Sequence, residues 1–579
     1  MTSPPPPEPP PPPPPPPPEH ANGGAALVAA LERNGVDAVF GIPGVHNLEI
    51  YRHLARSRVR HVAVRHEQGG GYAADGYARA SGRPGVCLTT SGPGATNVCT
   101  AAATAYADSV PVLFCSPGPA IGDEGLDIGL LHEMKDQSAH FESLMTASVR
   151  PASAQEIGDV VDEVFAGWRR ARRRPVHLEL PIDVLEREWR PSGADPANAA
   201  DDLHTHSARG PAVERLREVF GAIAPDPEDP RGAVTLDRAA ALLAGARKPL
   251  VVLGGGARGA ADGARRLAES LGALVLTTVN GKGVLPERHP LSLGAQIRLR
   301  ATRALFQSAD VVVVIGSELG DSDLWGEPIS TGSDVVRVDI DPHQLEKNLR
   351  ATVALCMDAS EACDALLTRL PDGAHTRSAS TWATAADDYR EDLQREALVQ
   401  GGPYAAINRE LSAALPDATI VAGDSAQVSY FGTAHFWPMA RPGQFLYPTG
   451  YATLGYGLPA AIGAKIACPE VPAIVVVGDG GFLFTAQELV AAAEARLPLP
   501  VVIVDNHGYA EIKQGMEERG IPPMAVDRPF VDFPALGRAF GGLGFSVGSV
   551  DELCARALDA LRAEGPTVIS IDVSCGAPR

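Results

Sequence analysis

Three times along this chain a set of short Val-, Ile- and Leu-rich runs recurs, each closed by a glycine-containing loop and followed by an amphipathic stretch. That succession leaves few folds open. Runs that are apolar at consecutive positions must be covered on both faces, and a helix between two such runs returns the chain so that the strands lie parallel. In the first set, strands are expected at Ala38 to Phe40, Val62 to Val64, Val86 to Thr89 and Val110 to Cys115. In the second they fall at Leu250 to Leu253, Ala273 to Thr277, Val311 to Ile315 and Val335 to Asp339. The third set is Thr419 to Ala422, Ala473 to Val477, Val501 to Val504 and Thr567 to Val573. The expected fold class is α/β, with three consecutive doubly wound parallel-sheet domains at residues 23–187, 236–371 and 403–579.

The intervening segments differ in composition. Residues 188–235 are rich in Pro, Asp, Ala and Gly, and residues 372–402 are irregular and charged; both read as linkers. Pro4 to Pro18, broken only by Glu8, can form neither a helix interior nor a central strand. Residues 1–22 therefore read as a disordered, extended Pro-rich arm. No basic segment precedes an apolar one there, so no secretory signal is expected. No run reaches the roughly eighteen apolar residues that cross a bilayer. The 8 cysteines are scattered without a CxxC pair, which argues against a disulfide framework or a zinc site and for a cytoplasmic protein with reduced thiols. A formal net charge of −20 sets aside a nucleic-acid partner, because phosphate binding needs a basic face.

One glycine motif misleads. Gly254-Gly255-Gly256-Ala257-Arg258-Gly259 follows a strand and satisfies the dinucleotide pattern. A nicotinamide site also wants an acid closing the next strand, for the ribose hydroxyls. That strand ends in Thr277-Thr278, so the glycines read as a tight strand-to-helix turn.

The third domain carries Val475-Val476-Val477-Gly478-Asp479-Gly480-Gly481, then a helix expected over 485–495, then a strand ending at Asp505-Asn506. A parallel strand delivers Asp479 to its carboxyl end, where α/β sheets bind ligands. Gly480 and Gly481 let the backbone approach a diphosphate, and the crossover brings Asn506 to the same sheet edge. Two oxygen ligands beside a diphosphate suit Mg²⁺, with phosphate and water completing the octahedron.

Taken together, these residues resemble the thiamine diphosphate signature. The resemblance implies that Asp479, Asn506 and the Gly508 carbonyl hold the metal, with Gly478, Gly480 and Gly481 at the diphosphate. The family usually has Asn where this chain has Asp505. In the first domain, Arg65-His66-Glu67 through Ala74-Asp75-Gly76-Tyr77-Ala78-Arg79 is similar to the segment of the acetolactate synthase superfamily that bears the cofactor-activating acid. Glu67 takes that role. Ser91 to Asn97 looks like the family's second cofactor-domain loop, and Thr449 to Ala461 like its cofactor-bending loop. There Leu454 would sit under the bent cofactor, Ala452 and Leu454 would bind the pyrimidine edge, and Ser425 and Gln427 would lie near the diphosphate. The likeness covers Gly24 to Val573 and implies a homodimer or homotetramer, because in this family Glu67 and Asp479 meet from different subunits.

Within the superfamily, Gly41 to His46, Leu131 to Met134, Asp424 to Gln427 and Gly508 to Lys513 look most like 5-guanidino-2-oxopentanoate decarboxylases. That likeness implies decarboxylation of a 2-oxo acid through an enamine, and a guanidinium tail would need an acid. Glu511, Asp136 and Asp127 are candidates for it, with His46, His132 and Gln137 as further substrate residues; these three and His507 are also the candidates to donate the proton that a decarboxylase needs. The alternative is acetolactate synthase-type carboligation, since Val45 and Thr90 stand where related decarboxylases carry an acid and a histidine. FAD, which acetolactate synthases hold, is not favoured, because Gly316 to Asp321 lacks the expected aromatic and arginine residues. A non-catalytic paralogue would have lost Glu67 or Asp479; both are present.

Overall fold

Every strand pairing within the three sheets is parallel. The computed structural model describes residues 21–190, 210–224, 232–371, 382 and 384–577; nearly all of the expected Pro-rich arm lies outside them. The first sheet contains β1 (Ala38–Gly41), β2 (Arg60–Ala63), β3 (Gly85–Leu88), β4 (Val112–Gly118), β5 (Ala147–Val149) and β6 (Val176–Pro181), in the order β2-β1-β3-β4-β6-β5. The middle sheet orders β7 (Pro249–Leu253), β8 (Leu274–Thr277), β9 (Val311–Ile315), β10 (Asp334–Asp339) and β11 (Val353–Cys356) as β11-β10-β9-β7-β8. The third contains β12 (Ile420–Ala422), β13 (Phe445–Leu446), β14 (Ala473–Gly478), β15 (Leu499–Asp505), β16 (Leu543–Val547) and β17 (Pro566–Asp572), as β13-β12-β14-β15-β17-β16. First and third sheets thus share one topology.

The apolar runs are buried on both faces. In the third sheet Val475, Val477, Val501 and Ile503 enter one core while Ile474, Val476, Val502 and Val504 enter another. The middle sheet divides Val251, Val275 and Val313 from Leu250, Leu274 and Val312 in the same way. This is the double winding that consecutive Val and Ile residues require.

The first and third domains share a core through two helices, Glu67–Ser81 and Gly457–Ala467. A β-carbon at Gly76 would lie inside the backbone of Ala460, and one at Gly463 inside that of Ala73. The helices cross at backbone contact, which explains the small residues on both.

Three expectations need correction. The 188–235 linker contains helix Pro211–Ala222, whose Val213, Leu216 and Phe220 belong to the first domain's core. The 372–402 connection is helical from Ala386, in a helix (Ala386–Ala414) kinked at Gly402-Pro403. Its Leu393 and Ala397 pack on the middle domain and its Ile407 and Leu411 on the third, making it a strut rather than a loose tether. The helix expected over 485–495 is a tight turn, Ala486–Glu488, followed by Leu489–Glu494. The Gly254 to Gly256 turn packs on Gly316; Gly256 donates its N–H to the Gly316 carbonyl at 2.9 Å, so that donor is not free for a phosphate.

All 8 cysteines are free thiols. Among the described residues no helix is long and apolar enough to cross a membrane.

Candidate active site

β14 and β15 pair with Gly478 opposite Val504, so Asp479 and Asn506 emerge side by side at the carboxyl edge of the third sheet. They open into a cavity of about 980 Å³. Gly478, Gly480, Gly481 and Gly508 line it beside them, Ser425 and Gln427 enter from the loop after β12, and Ala452 and Leu454 from the segment before helix Gly457–Ala467. Glu511 lies on the same wall, its carboxylate accepting hydrogen bonds from Gln427 Nε2 and Tyr430 Oη, both at 2.9 Å. The middle domain closes the far side with Arg298 and Trp325, the guanidinium 4.8 Å from the indole. Burial lowers Arg298 to about 10.

Asp479 is fully buried, and burial raises its carboxyl above the ordinary range. Its Oδ2 accepts from Arg528 Nε at 2.6 Å; Arg528 Nη2 reaches Asp505 Oδ1, also at 2.6 Å. One end of the Asn506 amide lies 3.0 Å from Asp479 Oδ1 and 2.8 Å from the Gly508 carbonyl, and its other end is 3.1 Å from the Tyr404 hydroxyl. Without a cation, the amide nitrogen turned inward donates to both oxygens. With one, the amide oxygen would face inward, about 3 Å from both Asp479 Oδ1 and the Gly508 carbonyl, and these three oxygen donors would hold a hard divalent cation such as Mg²⁺. The Tyr404 hydroxyl serves either orientation, donating or accepting. The donor set fits the metal.

The first domain builds a separate edge. Glu67 opens helix Glu67–Ser81 after β2, and its Oε2 accepts from Asn97 Nδ2 at 2.9 Å. Nearby, Ser91 Oγ lies 2.6 Å from His46 Nδ1 and 3.1 Å from His132 Nδ1. Gln137 Oε1 accepts the Gly92 N–H at 3.3 Å. His46, His132 and Gln137 line a second cavity, of about 700 Å³. Desolvation first, then the neighbouring His132, lowers the His46 pKa. Glu67 lines neither cavity of its own chain.

Comparison with known proteins assigns both domains to one family. Residues 21–140 match the N-terminal thiamine pyrophosphate-binding domain of thiamine pyrophosphate enzymes, residues 236–366 their central domain, and residues 426–571 their C-terminal thiamine pyrophosphate-binding domain. The chain is 39% identical over 551 residues to a probable 2-ketoarginine decarboxylase of Pseudomonas aeruginosa, covering 95% of this chain and 94% of that protein. This chain is a thiamine pyrophosphate enzyme. It is also 31% identical over 571 residues to a probable acetolactate synthase large subunit of Methanocaldococcus jannaschii, with 94% and 91% covered. With acetolactate synthase isozyme 1 large subunit of Escherichia coli the identity is 29% over 569 residues, with 94% and 93% covered.

For a thiamine pyrophosphate enzyme, the arrangement divides the residues named from sequence cleanly. Those of the third domain other than His507 converge on one cavity; Glu67, His46, His132 and Gln137 gather at the first domain's edge. His507 turns away, 67% exposed, with Nε2 2.9 Å from Asp572. Asp136 lines the smaller cavity while its carboxylate caps helix Gln137–Glu142, and Asp127 lines neither. Val45 is an exposed apolar side chain, and the Thr90 hydroxyl is buried without a partner. Sequence reasoning missed Arg528, Tyr404 and the role of Asn97, for their partners lie 23 to 102 positions away. The one usable signal was Asp505, an acid where the family carries an amide, which called for a cation such as Arg528.

Proposed function

We propose that this enzyme decarboxylates a 2-oxo acid with a guanidinium tail, best described by 5-guanidino-2-oxopentanoate, using thiamine diphosphate and Mg²⁺ in a homo-oligomer. The observation that carries the substrate class is Glu511. Its carboxylate is held by Tyr430 and Gln427 on the wall of the cavity that Asp479 and Leu454 line, and an oriented carboxylate binds a planar guanidinium through paired charge-assisted hydrogen bonds. The resemblance to a probable 2-ketoarginine decarboxylase supports the same reading.

The bound cofactor supplies an electron sink for the pair released when the bond to the carboxylate breaks. Asp479, Asn506 and Gly508 would hold the metal at the diphosphate, Ala452 and Leu454 the pyrimidine edge. Glu67 would keep a proton at the aminopyrimidine ring, and because it lines neither cavity of its own chain it would act on a partner's cofactor. Exposed apolar side chains at both edges, Ile128 and Leu131 near His132 and Phe484 and Ile512 near Asp479, give a second copy something to bury. His46, Ser91 and His132 would move the proton that replaces CO₂.

A second reading, carboligation of two 2-oxo acids, is favoured by the acid and histidine missing at Val45 and Thr90 and by the acetolactate synthase relatives. Purified protein with thiamine diphosphate and Mg²⁺, offered pyruvate, 2-oxobutyrate, branched 2-oxo acids, benzoylformate and 2-oxoarginine, separates the two. Guanidinobutanal and CO₂ from 2-oxoarginine alone are expected; acetolactate from pyruvate would replace the first reading by the second.

A further inference from the structure

Between β13 and helix Gly457–Ala467 the chain crosses the cavity wall without regular secondary structure. Ala452 there adopts φ +52°, a left-handed conformation that is unfavourable for a non-glycine residue. Something must impose it. Two buried carboxylates grip the segment, one at each end. Asp424, after β12, accepts the N–H of Gly455 at 3.0 Å and of Gly457 at 2.6 Å. Asp108, which ends the first domain's helix Cys99–Ala107, accepts the N–H of Thr449 and of Gly450, each at 2.9 Å.

Asp108 does more than cap a loop. Its Oδ2 also takes Arg79 Nη2 at 2.8 Å, and its Oδ1 takes Asn280 Nδ2 from the middle domain at 2.9 Å. Four donors from three domains meet on one carboxylate whose side chain is 1% exposed. Withdrawing a carboxylate from water is costly unless its lone pairs are filled, and a filled one fixes a single geometry. Apolar contact already joins the first and third domains at the crossed helices, so the cohesion of those two does not require this charge.

We propose that Asp108 is a positioning residue for the cofactor. From the first domain it sets where the third domain presents Ala452 and Leu454, so that cofactor binding depends on how all three domains of one chain are docked. The proposal rests on the reading of Ala452 and Leu454 as cofactor contacts.

Two variants test it. Asp108→Asn removes the charge. Gly450→Ala keeps every charge but adds a β-carbon 3.0 Å from Ala107 Cβ and 3.2 Å from Asp108 Oδ1, pushing the segment off its clamp. Thiamine diphosphate with Mg²⁺ is titrated into apo-protein and followed by fluorescence quenching, and amide hydrogen exchange of residues 447–458 is measured before cofactor is added. Each variant is expected to weaken cofactor binding about tenfold, the scale of one hydrogen bond to a charged group, and to speed exchange at Thr449 and Gly450. Leu454→Ala tests the underlying reading separately. If it weakens binding while Asp108→Asn and Gly450→Ala change neither affinity nor exchange, the positioning role is overturned and the reading stands. If Leu454→Ala binds cofactor like the parent, both fall. Should Asp108→Asn fail to fold, Gly450→Ala decides alone.

Discussion

Asn97 donates a 2.9 Å hydrogen bond to the Glu67 carboxylate, tying the end of the short helix Pro93–Asn97 that follows β3 to the first residue of the helix after β2. A carboxylate that must meet a partner's cofactor at a fixed angle loses orientation without such a tether. Glu67→Gln is expected to abolish turnover while the cofactor stays bound. Asn97→Ala should lower kcat about tenfold, the value of one charge-assisted bond, with little change in cofactor affinity. Steady-state kinetics beside a cofactor titration check both. A parent-like kcat in Asn97→Ala would show that Glu67 is aimed by something else.

Arg528 divides its charge between Asp479 and Asp505. Removing Asp505 leaves the guanidinium, whose side chain is 8% exposed, facing Asp479 alone and competing with a divalent cation for it. Asp505→Asn should therefore weaken Mn²⁺ or Mg²⁺ binding about tenfold in the presence of cofactor. The double variant Asp505→Asn with Arg528→Gln, with neither charge, should recover most of that loss. Electron paramagnetic resonance of Mn²⁺ titrations reads both. An unchanged affinity in the single variant removes Arg528 from the control of the metal.

The parts of this molecule that could be read from its sequence are those whose chemistry lies along the chain. Val475 to Val477 announce a strand because every residue is apolar, and Gly478 to Gly481 sit contiguously after it. The strands that escaped notice carry other signals. β6 holds His177 and Glu179, polar but buried because Ser116, Ser148, Ser138 and Arg150 satisfy them; burial, with the neighbouring His140 adding to it, lowers the His177 pKa to about 3. β13 is 2 residues long and β5 is 3, too short for a pattern, β11 is 4 residues that bury only alternate side chains fully, and β16 leaves Leu543 half exposed. In the site, Asp479 and Asn506 were visible as a motif, whereas Arg528, Asp108 and Glu488 act on residues that only the fold brings near. A residue whose partner is hundreds of positions away carries no local signature.

Glu488 supplies the last expectation. It is wholly buried, and its carboxylate accepts the backbone N–H of Arg65 at 3.1 Å and of His66 at 2.9 Å, immediately before Glu67. Burial raises its pKa to about 7, with the Arg65 charge opposing and the Glu67 charge assisting. A folded-state pKa above the unfolded one means that the native protein binds the extra proton. The resulting stability is fully present below the unfolded pKa of 4.5 and is lost as pH rises through about 7. Parent protein should therefore lose stability between about pH 5 and pH 8 relative to Glu488→Gln, which keeps an acceptor but cannot ionise. The difference should grow by up to roughly 3 kcal/mol across that window. Denaturant unfolding of both proteins at each pH measures it. Parallel pH profiles for parent and variant would mean that Glu488 stays charged throughout, its two backbone N–H donors outweighing desolvation, and the same experiment on Glu67→Gln would then show how much of the pH profile came from its neighbour.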